Sequence, residues 1–322
     1  MSTHKDEKAT VMTARIDPDV EANPEQGTEV VLINMPFGNL AAPSLGLSLL
    51  KASLKPLAIS AKIFYLTLRF AELIGGFLYL LIANGMPSTV SFSFAALVGD
   101  WIFAEALFGP GRLDTDGYIE EVLRREFRSQ APEHDTPANA QTSGKKLDPE
   151  TLIQHLLKAR GKANGFLDEC VTSVIRCRPK IVGFTSVFQQ QVASLALAKR
   201  LKEQAPDVFI VFGGANCEGV MGAELIRQFP FIDAVVSGEG EVVFPELVRR
   251  VLEKRSVADL QGVHSREGAG LKVLNGRYPN APSVQNMDAL PLPDYQDFFE
   301  QWEASPISRL TAKGISPRLI RL

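Results

Sequence analysis

The sequence has 322 residues, a formal net charge of −3 and an isoelectric point near 5.9. A chain of this length can bury a sizeable core, either as one large domain with an insertion or as two smaller domains. The slightly negative net charge argues against nucleic-acid binding, which usually requires a cluster of basic residues. The three cysteines, an odd number, argue against a disulfide framework and for a reducing compartment.

The first 28 residues are polar and contain no apolar core of a secretory signal, so we expect a disordered lead-in and a cytoplasmic protein. One strongly apolar stretch, Phe70 to Ala83, is a candidate membrane span by composition. It has 14 residues and contains Glu72, whereas a helix needs about 20 residues to cross a bilayer. We therefore expect a buried helix and no membrane association.

The first regular elements form a strand, helix and strand unit. Glu29 to Asn34 is a short β-branched run, and Pro43 and Ser44 suit the first turn of a helix. Four leucines recur at helical spacing in that helix, at Leu45, Leu49, Leu50 and Leu54. Lys62 to Leu68 is the second predicted strand.

The alternation of strands and helices then stops for about a hundred residues. Phe70 to Phe108 is rich in helix-forming apolar residues, and Tyr118 to Arg128 predicts an amphipathic helix. Residues 129–146 have the composition of an exposed linker, and Pro149 to Arg176 predicts a long helix. We interpret residues 69–179 as a helical insertion with a linker between the second and third strands.

Alternation resumes in the second half of the chain. The predicted strands are Lys180 to Ser186, Asp207 to Gly213 and Asp233 to Ser237, and helices are predicted at Gln189 to Glu203, after Gly219, and at Glu241 to Lys254. This pattern predicts a doubly wound α/β fold, Rossmann-like, with a five-stranded parallel sheet in residues 29–257. Residues 258–322 are predicted to form a hairpin and a linker.

In such sheets ligands lie beyond the carboxyl ends of the strands, where the winding reverses. Four predicted loops meet there. They are Met35 to Pro43, Ser186 to Gln190, Gly213 to Gly219 and Ser237 to Glu241. We therefore expect these loops to surround one crevice.

The glycine loop does not match a nucleotide-binding motif. Gly214 and Gly219 have the spacing of a P-loop, but Val220 and Met221 follow where that chemistry needs lysine and a hydroxyl. The dinucleotide fingerprint also fails, because Asp233 precedes its strand instead of ending it. The glycines either let a bulky ligand approach the backbone or merely close a tight turn.

The loop from Ser237 to Glu241 places Glu239 and Glu241 at a helix start. These carboxylates would repel a phosphate and would accept hydrogen bonds from hydroxyl or amide groups of a ligand. Plain capping of the helix is the alternative interpretation. Cys217 in the glycine loop is interpreted as structural, since no base or metal partner accompanies it.

No complete active site can be assembled from the remaining reactive residues. Cys170 and Cys177 are separated by six residues, which matches no zinc or cluster spacing. The histidines lie outside the predicted crevice loops, at His4, His134, His155 and His264. We therefore predict no catalytic residue and no metal ligand.

Six stretches resemble, in this order, one protein family: "INMPFGNLAAPSLGLSLLKASL", "VGDWIFAEALFG", "IVGFTSVFQQQVASLALAKRLKE", "VFGGANCEGVMG", "AVVSGEGEVVFPELV" and "DALPLPDYQDFF". They are similar to the amino-terminal half of cobalamin-binding radical S-adenosylmethionine (SAM) enzymes. The group that the chain resembles most is the C-methyltransferases that mature ribosomally made peptides (RiPPs). The likeness spans about Val30 to Phe299, and "GDWIFAEALFG" is its most group-specific element.

The resemblance implies a Rossmann-like domain that holds cobalamin over the carboxyl edge of the sheet. The glycine turn would offer backbone amides to the phosphate of the nucleotide tail, and Glu239 and Glu241 would accept hydrogen bonds from the amides of the corrin ring. The cofactor-binding residues that it implies are Asn34, Pro36, Phe37, Ser186, Gln189, Gly213, Gly214, Ala215, Asn216, Gly219, Ser237, Gly238, Glu239, Gly240 and Glu241. The Asp-x-His-x-x-Gly motif that ligates cobalt in other cobalamin proteins is absent from the sequence.

In this family the "LPLPDY" linker leads to a radical domain in which a CxxxCxxC motif holds an iron–sulfur cluster that cleaves SAM. No cysteine follows Cys217 here, so the cluster and SAM would belong to a missing domain, and we expect a fragment, a truncated product or a separate subunit that is inactive alone. A precursor peptide and a radical SAM domain would be its partners. Two alternatives stay open: a flavin- or nucleotide-binding α/β protein, and a docking subunit with an empty crevice.

Overall fold

The computed structural model describes residues 27–84, 96–129, 148–267 and 278–310. Most of the predicted lead-in and of the 129–146 linker lies outside these residues. The same is true of residues 268–277, which belong to the predicted hairpin, and of residues 311–322. The predicted division into a lead-in, a Rossmann-like domain and a terminal linker region stays a prediction.

One six-stranded sheet forms the centre of the fold. Its strands are β1 (Val30–Asn34), β2 (Ala61–Tyr65), β3 (Ile181–Thr185), β4 (Phe209–Gly213), β5 (Ala234–Val236) and β6 (Val263–Ser265). They lie in the order β2-β1-β3-β4-β5-β6, with the first five parallel and β6 antiparallel to β5. The predicted α/β class is confirmed, but the count of five strands was wrong, because β6 has three residues and too little periodicity to be recognised locally.

The helices are α1 (Leu45–Leu54), α2 (Leu66–Ile74), α3 (Gly76–Asn84), α4 (Val98–Phe108), α5 (Thr115–Tyr118), α6 (Arg124–Ser129), α7 (Pro149–Arg176), α8 (Gln191–Gln204), α9 (Val220–Gln228), α10 (Gly240–Leu252), α11 (Gln296–Ala304) and α12 (Ile307–Leu310). A π-helical turn joins α5 to α6. Two predicted starts coincide with side-chain caps. The Ser44 hydroxyl accepts a hydrogen bond from Leu47 N, and the Asp148 carboxylate accepts one from Thr151 N.

The apolar segment after β1 and α1 differs from its prediction in two respects. The second strand ends at Tyr65, and Leu66 begins α2, so the predicted strand through Leu68 was three residues too long. The expected single helix is two helices, which meet at Gly75 with an angle of 119°. Within the described part of the chain, no single helix is long and apolar enough to span a membrane, although this bent pair meets the length and composition criteria together.

Gly99 and Asp100, the first residues of the "GDWIFAEALFG" motif, attach the helices between β2 and β3 to the segment that follows β3. Gly99 N donates to Gln189 Oε1 (2.6 Å), and Gln189 Nε2 donates to the Ile82 carbonyl (3.0 Å). Asp100 accepts a hydrogen bond from Val192 N at the start of α8 (3.0 Å). These contacts give the motif a structural role, because they join the helices between β2 and β3 to the β3–α8 connection and to the first turn of α8.

We expect Asp100→Asn to stabilise the fold at neutral pH. Burial raises the pKa of Asp100 from 3.8 to about 6, against the lowering effect of the Val192 hydrogen bond. Between these values the folded state binds more protons than the unfolded state, so this group lowers stability as pH rises. An asparagine oxygen can still accept from Val192 N. The variant should therefore gain roughly 2–3 kcal/mol at about pH 7 and nothing at about pH 4.

Urea denaturation at the two pH values measures this difference. Asp207→Asn, at an exposed position before β4, is the matched control and should change stability by less than about 0.5 kcal/mol. A gain for Asp100→Asn that is the same at both pH values would contradict the interpretation.

Helix α11 covers the outer edge of the sheet. Asp297 Oδ2 accepts from Ile63 N (2.7 Å), and Gln301 accepts from Tyr65 N and donates to the Ile63 carbonyl (both 2.8 Å). Lys51 forms an ion pair with Asp297 at 2.7 Å. The side chains of α11 thus bind the backbone groups that an edge strand leaves unpaired. The "LPLPDYQDFF" segment therefore protects β2 in this fold.

Candidate functional site

A cavity of about 470 Å³ lies between α1, α10 and the sheet. Its floor is one row of paired residues across three strands, in which Leu32 is next to Gly183 and Gly183 is next to Val211. A Cβ atom at Gly183 would lie 2.8 Å from Leu32 Cδ2. Leu32 Cδ2 therefore occupies part of the space beside Gly183, and Gly183 lines the middle of this floor with backbone atoms only.

The mouth of this cavity is formed by two of the predicted loops. Gly213 to Ala215 lie at the end of β4, and Gly238 to Glu241 lie at the start of α10. Gly214 has φ +100°, and a Cβ atom there would lie 2.7 Å from the Ser186 carbonyl oxygen. This backbone conformation is essentially restricted to glycine. The turn therefore requires glycine at position 214.

The side walls of the cavity are apolar and come from α1 and α10. They are formed by Leu47 and Leu50 on one side and Phe244 on the other. Gly46 also lines the cavity, and a Cβ atom at Gly46 would meet no atom within 4 Å. A flat apolar group of a ligand would therefore contact apolar side chains on both sides below the mouth of the cavity.

The charged residues that line the cavity are all acidic. They are Glu218, Glu239 and Glu241, and no lysine, arginine or histidine is among the described lining residues. Glu218 Oε1 accepts from Asn280 Nδ2 (2.8 Å), and Glu239 Oε2 accepts from Val284 N (2.6 Å). Glu241 has no hydrogen-bond partner among the residues that the structure describes. This charge disfavours polyphosphates and favours a ligand with neutral hydrogen-bond donors.

A segment from far along the chain completes the wall and was missed by the sequence analysis. Asn280, Ala281 and Ser283 line the cavity. Ala281 N donates to the Ser237 carbonyl (2.7 Å), and Ser237 Oγ donates to Asn280 Oδ1 (2.6 Å). These residues belong to no helix or strand of the described chain and show no local sequence pattern, so only the folded chain reveals their position.

A second cavity, of about 390 Å³, lies next to the first at the ends of β1 and β3. Asn34, Phe37 and Gln189 line it, and Thr185 lines both cavities. The four predicted loops thus lie at the expected edge of the sheet, but they surround two adjacent cavities instead of one crevice.

The fifteen residues implied by the resemblance fall into three groups. Seven line the larger cavity: Gly213, Gly214, Ala215, Gly238, Glu239, Gly240 and Glu241. Three line the smaller one: Asn34, Phe37 and Gln189. Five line neither: Pro36, Ser186, Asn216, Gly219 and Ser237.

Most residues of the third group support the loops. Ser186 Oγ donates to Gln191 Oε1 and accepts from Asn216 Nδ2, and Ser237 Oγ accepts from Gly219 N. Gln189 lines the smaller cavity, and its side-chain amide accepts from Gly99 N and donates to the Ile82 carbonyl.

Cys170 and Cys217 are buried in surroundings that do not activate a thiol. Cys217 is fully buried, and burial raises the pKa of its thiol to about 12. Burial also raises the pKa of Cys170 far above its usual value. Across the four described segments, no cluster of three or more histidine, cysteine, aspartate or glutamate side chains could hold a metal ion.

No model of a known protein family matches the sequence. The chain is 34% identical over 138 residues to "Uncharacterized methyltransferase PH0819" of Pyrococcus horikoshii, an alignment that covers 42% of this chain and 27% of the relative. It is 29% identical over 131 residues to the anaerobic magnesium-protoporphyrin IX monomethyl ester cyclase of Rubrivivax gelatinosus, covering 40% and 23%. The chain thus spans about a quarter of the length of these curated relatives.

Among solved structures, the chain is similar to the radical SAM methyltransferase TsrM from Kitasatospora setae, determined with cobalamin and a [4Fe-4S] cluster bound. The TM-score is 0.40 and the sequence identity is 14%. The match covers 86% of this chain and 38% of that chain.

Proposed function

We propose that this chain is the cobalamin-binding module of a radical SAM C-methyltransferase. The observation that carries the proposal is the glycine-floored cavity below the carboxyl edge of the sheet, with Gly183 at its floor and Gly214 at its mouth. The name of the Pyrococcus relative, a methyltransferase, supports the reaction class. Action in RiPP maturation is the finer part of the proposal and rests on the sequence resemblance.

The residues present fit the nucleotide tail of cobalamin. A cavity of about 470 Å³ is within the range of roughly 300–1,000 Å³ for small-molecule sites, which suits a nucleotide-sized group but not an entire corrin. Leu47, Leu50 and Phe244 would contact the base of the tail, and the turn at Gly214 would offer backbone amides to its phosphate.

The corrin ring would lie over the edge of the sheet. Glu241 would accept hydrogen bonds from ring amides, since its carboxylate has no partner among the described residues. Bound cobalamin supplies a transferable methyl group. The chain's own residues would bind and orient the cofactor, while the cluster and SAM would be held by another part of the enzyme.

Flavin or nucleotide binding in the same cavity is the competing function. The acidic lining disfavours it more strongly than cobalamin, because flavin and nucleotide cofactors carry two or more negative charges on their phosphates, whereas the phosphodiester of the cobalamin tail carries one, and the described lining offers Glu218, Glu239 and Glu241 but no basic side chain. The motif departures at Val220 and Met221 disfavour it independently. A docking subunit with an empty crevice would leave the cavity lined by Gly183 and Gly214 unexplained.

The test is retention of cobalamin by the full 322-residue chain. Purified protein is incubated with hydroxocobalamin and separated from free cofactor by gel filtration, and absorbance at the corrin bands is compared with protein concentration. We expect about one corrin per chain. Protein that elutes without corrin at every cofactor excess would contradict the proposal, and co-elution of flavin or dinucleotide would favour the competing function.

A further inference from the structure

The smaller cavity has a neutral, amide-rich lining that the cobalamin proposal does not explain. It lies between β1 and β3, where the order of the sheet reverses, which is the usual position for a ligand in a doubly wound fold. None of its described lining residues is ionisable. A charged ligand would lose its hydration there without gaining a counter-charge, so the cavity suits a neutral polar group.

Two buried amides at the back of this cavity fix each other's orientation. Asn34 is 4% exposed and Gln190 is 3% exposed. Gln190 Nε2 donates to Asn34 Oδ1 (2.7 Å) and to the Met35 carbonyl, which uses both of its hydrogens. Because a flipped amide would bring two acceptors or two donors together, this arrangement determines which atom of each amide remains free.

The free atoms are a donor, Asn34 Nδ2, and an acceptor, Gln190 Oε1. Neither atom has a hydrogen-bond partner within the described residues. Both atoms nevertheless keep some contact with solvent, because they are not among the fully buried polar atoms that lack a partner. Both side chains line the cavity, so the little accessible surface they keep faces it. A donor and an acceptor that are this buried are costly to leave without a partner.

Gly38 shows that the backbone makes room for this amide pair. A Cβ atom at Gly38 would lie 2.6 Å from Gln190 Nε2 and 2.7 Å from Asn34 Oδ1. Any larger residue would displace the hydrogen bond that orients the two amides. The orientation that leaves this donor and this acceptor without a partner is therefore a consequence of the local packing of β1 and its loop.

We propose that this cavity is a binding site for a primary carboxamide. The carbonyl of the ligand accepts a hydrogen bond from Asn34 Nδ2, and its NH₂ group donates to Gln190 Oε1. A carboxylate of the same shape is rejected, because it cannot donate to Gln190 and carries a charge into a neutral cavity. The carboxamide belongs either to the periphery of the corrin, in which case the assignment rests on the proposed function, or to a separate molecule.

Propionamide is the probe for the site itself. In ¹⁵N-labelled full-length protein without cobalamin, it should shift the side-chain NH₂ resonances of Asn34 and Gln190 in a saturable manner, while propionate should not. Asn34→Asp keeps the acceptor for Gln190 Nε2 but removes the donor, so it should abolish the response to propionamide. Absence of a saturable shift at about 100 mM propionamide, or an equal shift with propionate, would overturn the proposal for wild-type protein whether or not the variant folds.

The same spectra distinguish the two sources of the carboxamide. If cobalamin shifts both resonances and prevents the response to propionamide, the corrin supplies the group. If cobalamin binds and propionamide still shifts both resonances, a separate molecule supplies it. If cobalamin does not bind at all, the proposed function fails while the response to propionamide stands on its own.

Discussion

Gly183→Val should lower the affinity for cobalamin by at least about 100-fold, equivalent to about 2.8 kcal/mol. Gly183 is the centre of the cavity floor, between Leu32 and Val211. A valine side chain at this buried position would point to the same side of the sheet as Leu32 and Val211, which line the cavity. It would occupy the space that the nucleotide tail needs.

The fold should tolerate this change. The atom that a new Cβ approaches is Leu32 Cδ2, the end of a flexible side chain that can move away from it, and valine favours the strand conformation. Gly161→Val, at an exposed position of α7 with no atom within 4 Å of its Cβ, is the matched control and should bind cobalamin like the wild type. Unchanged cobalamin affinity in a folded Gly183→Val protein, measured by titration of the corrin absorbance, would place the tail elsewhere.

Gly214→Ala should destabilise the protein by about 2–4 kcal/mol and abolish cobalamin retention. Its φ of +100° is strained for any other residue, and the added Cβ would lie 2.7 Å from Ser186 O and 3.0 Å from Ser186 N. Both atoms belong to the backbone, which cannot move without breaking the hydrogen bond from Ser186 N to the Gly213 carbonyl (2.8 Å).

The adjacent glycine provides the control for this prediction. At Gly213 no positive φ is found, and the nearest atoms to an added Cβ, Val236 Cβ and O, are 4.0 Å away. Gly213→Ala should therefore leave the free energy of unfolding in urea within about 1 kcal/mol of the wild type. Equal losses for the two variants would show that the turn is sensitive to any side chain and not to the conformation of Gly214.

The sequence contained most of the information for regular elements with strong local signals. The apolar runs of β1, β3 and β4 predicted strands, and the start of α7 was predicted at Pro149. Its end at Arg176 also agrees with the prediction. The second strand was extended too far because Leu66 and Leu68 continue an apolar run, and only the packing of α2 ends it at Tyr65.

The candidate site could be predicted only where it is local in sequence. The loops at Gly213 and Gly238 were found because glycines interrupt a strand-to-helix pattern. Gly183 was overlooked as a site residue because it lies within a strand, where its effect depends on its neighbours Leu32 and Val211. Asn280 joins the site through hydrogen bonds with Ser237 and Glu218, which are 43 and 62 residues away in the sequence. The spacing of apolar residues along the sequence does not predict contacts of this range.

The smaller cavity illustrates the same limit for polar residues. Asn34 and Gln189 were expected to bind a cofactor, but Gln190 and Thr185 were not among the predicted cofactor-binding residues. The distinction between Gln189 and Gln190 depends on which neighbours satisfy each amide. The sequence places both glutamines in one loop. It does not show that Gln189 joins two segments of the chain, or that Gln190 keeps an acceptor without a partner among the described residues.

Calorimetric titration of the full wild-type chain with cobalamin and with cobinamide, which lacks the nucleotide tail, tests the central claim most directly. If the tail occupies the cavity above Gly183, cobalamin should bind at least about 100-fold more tightly than cobinamide. Equal affinity for the two corrins, or no binding of either, would contradict the account.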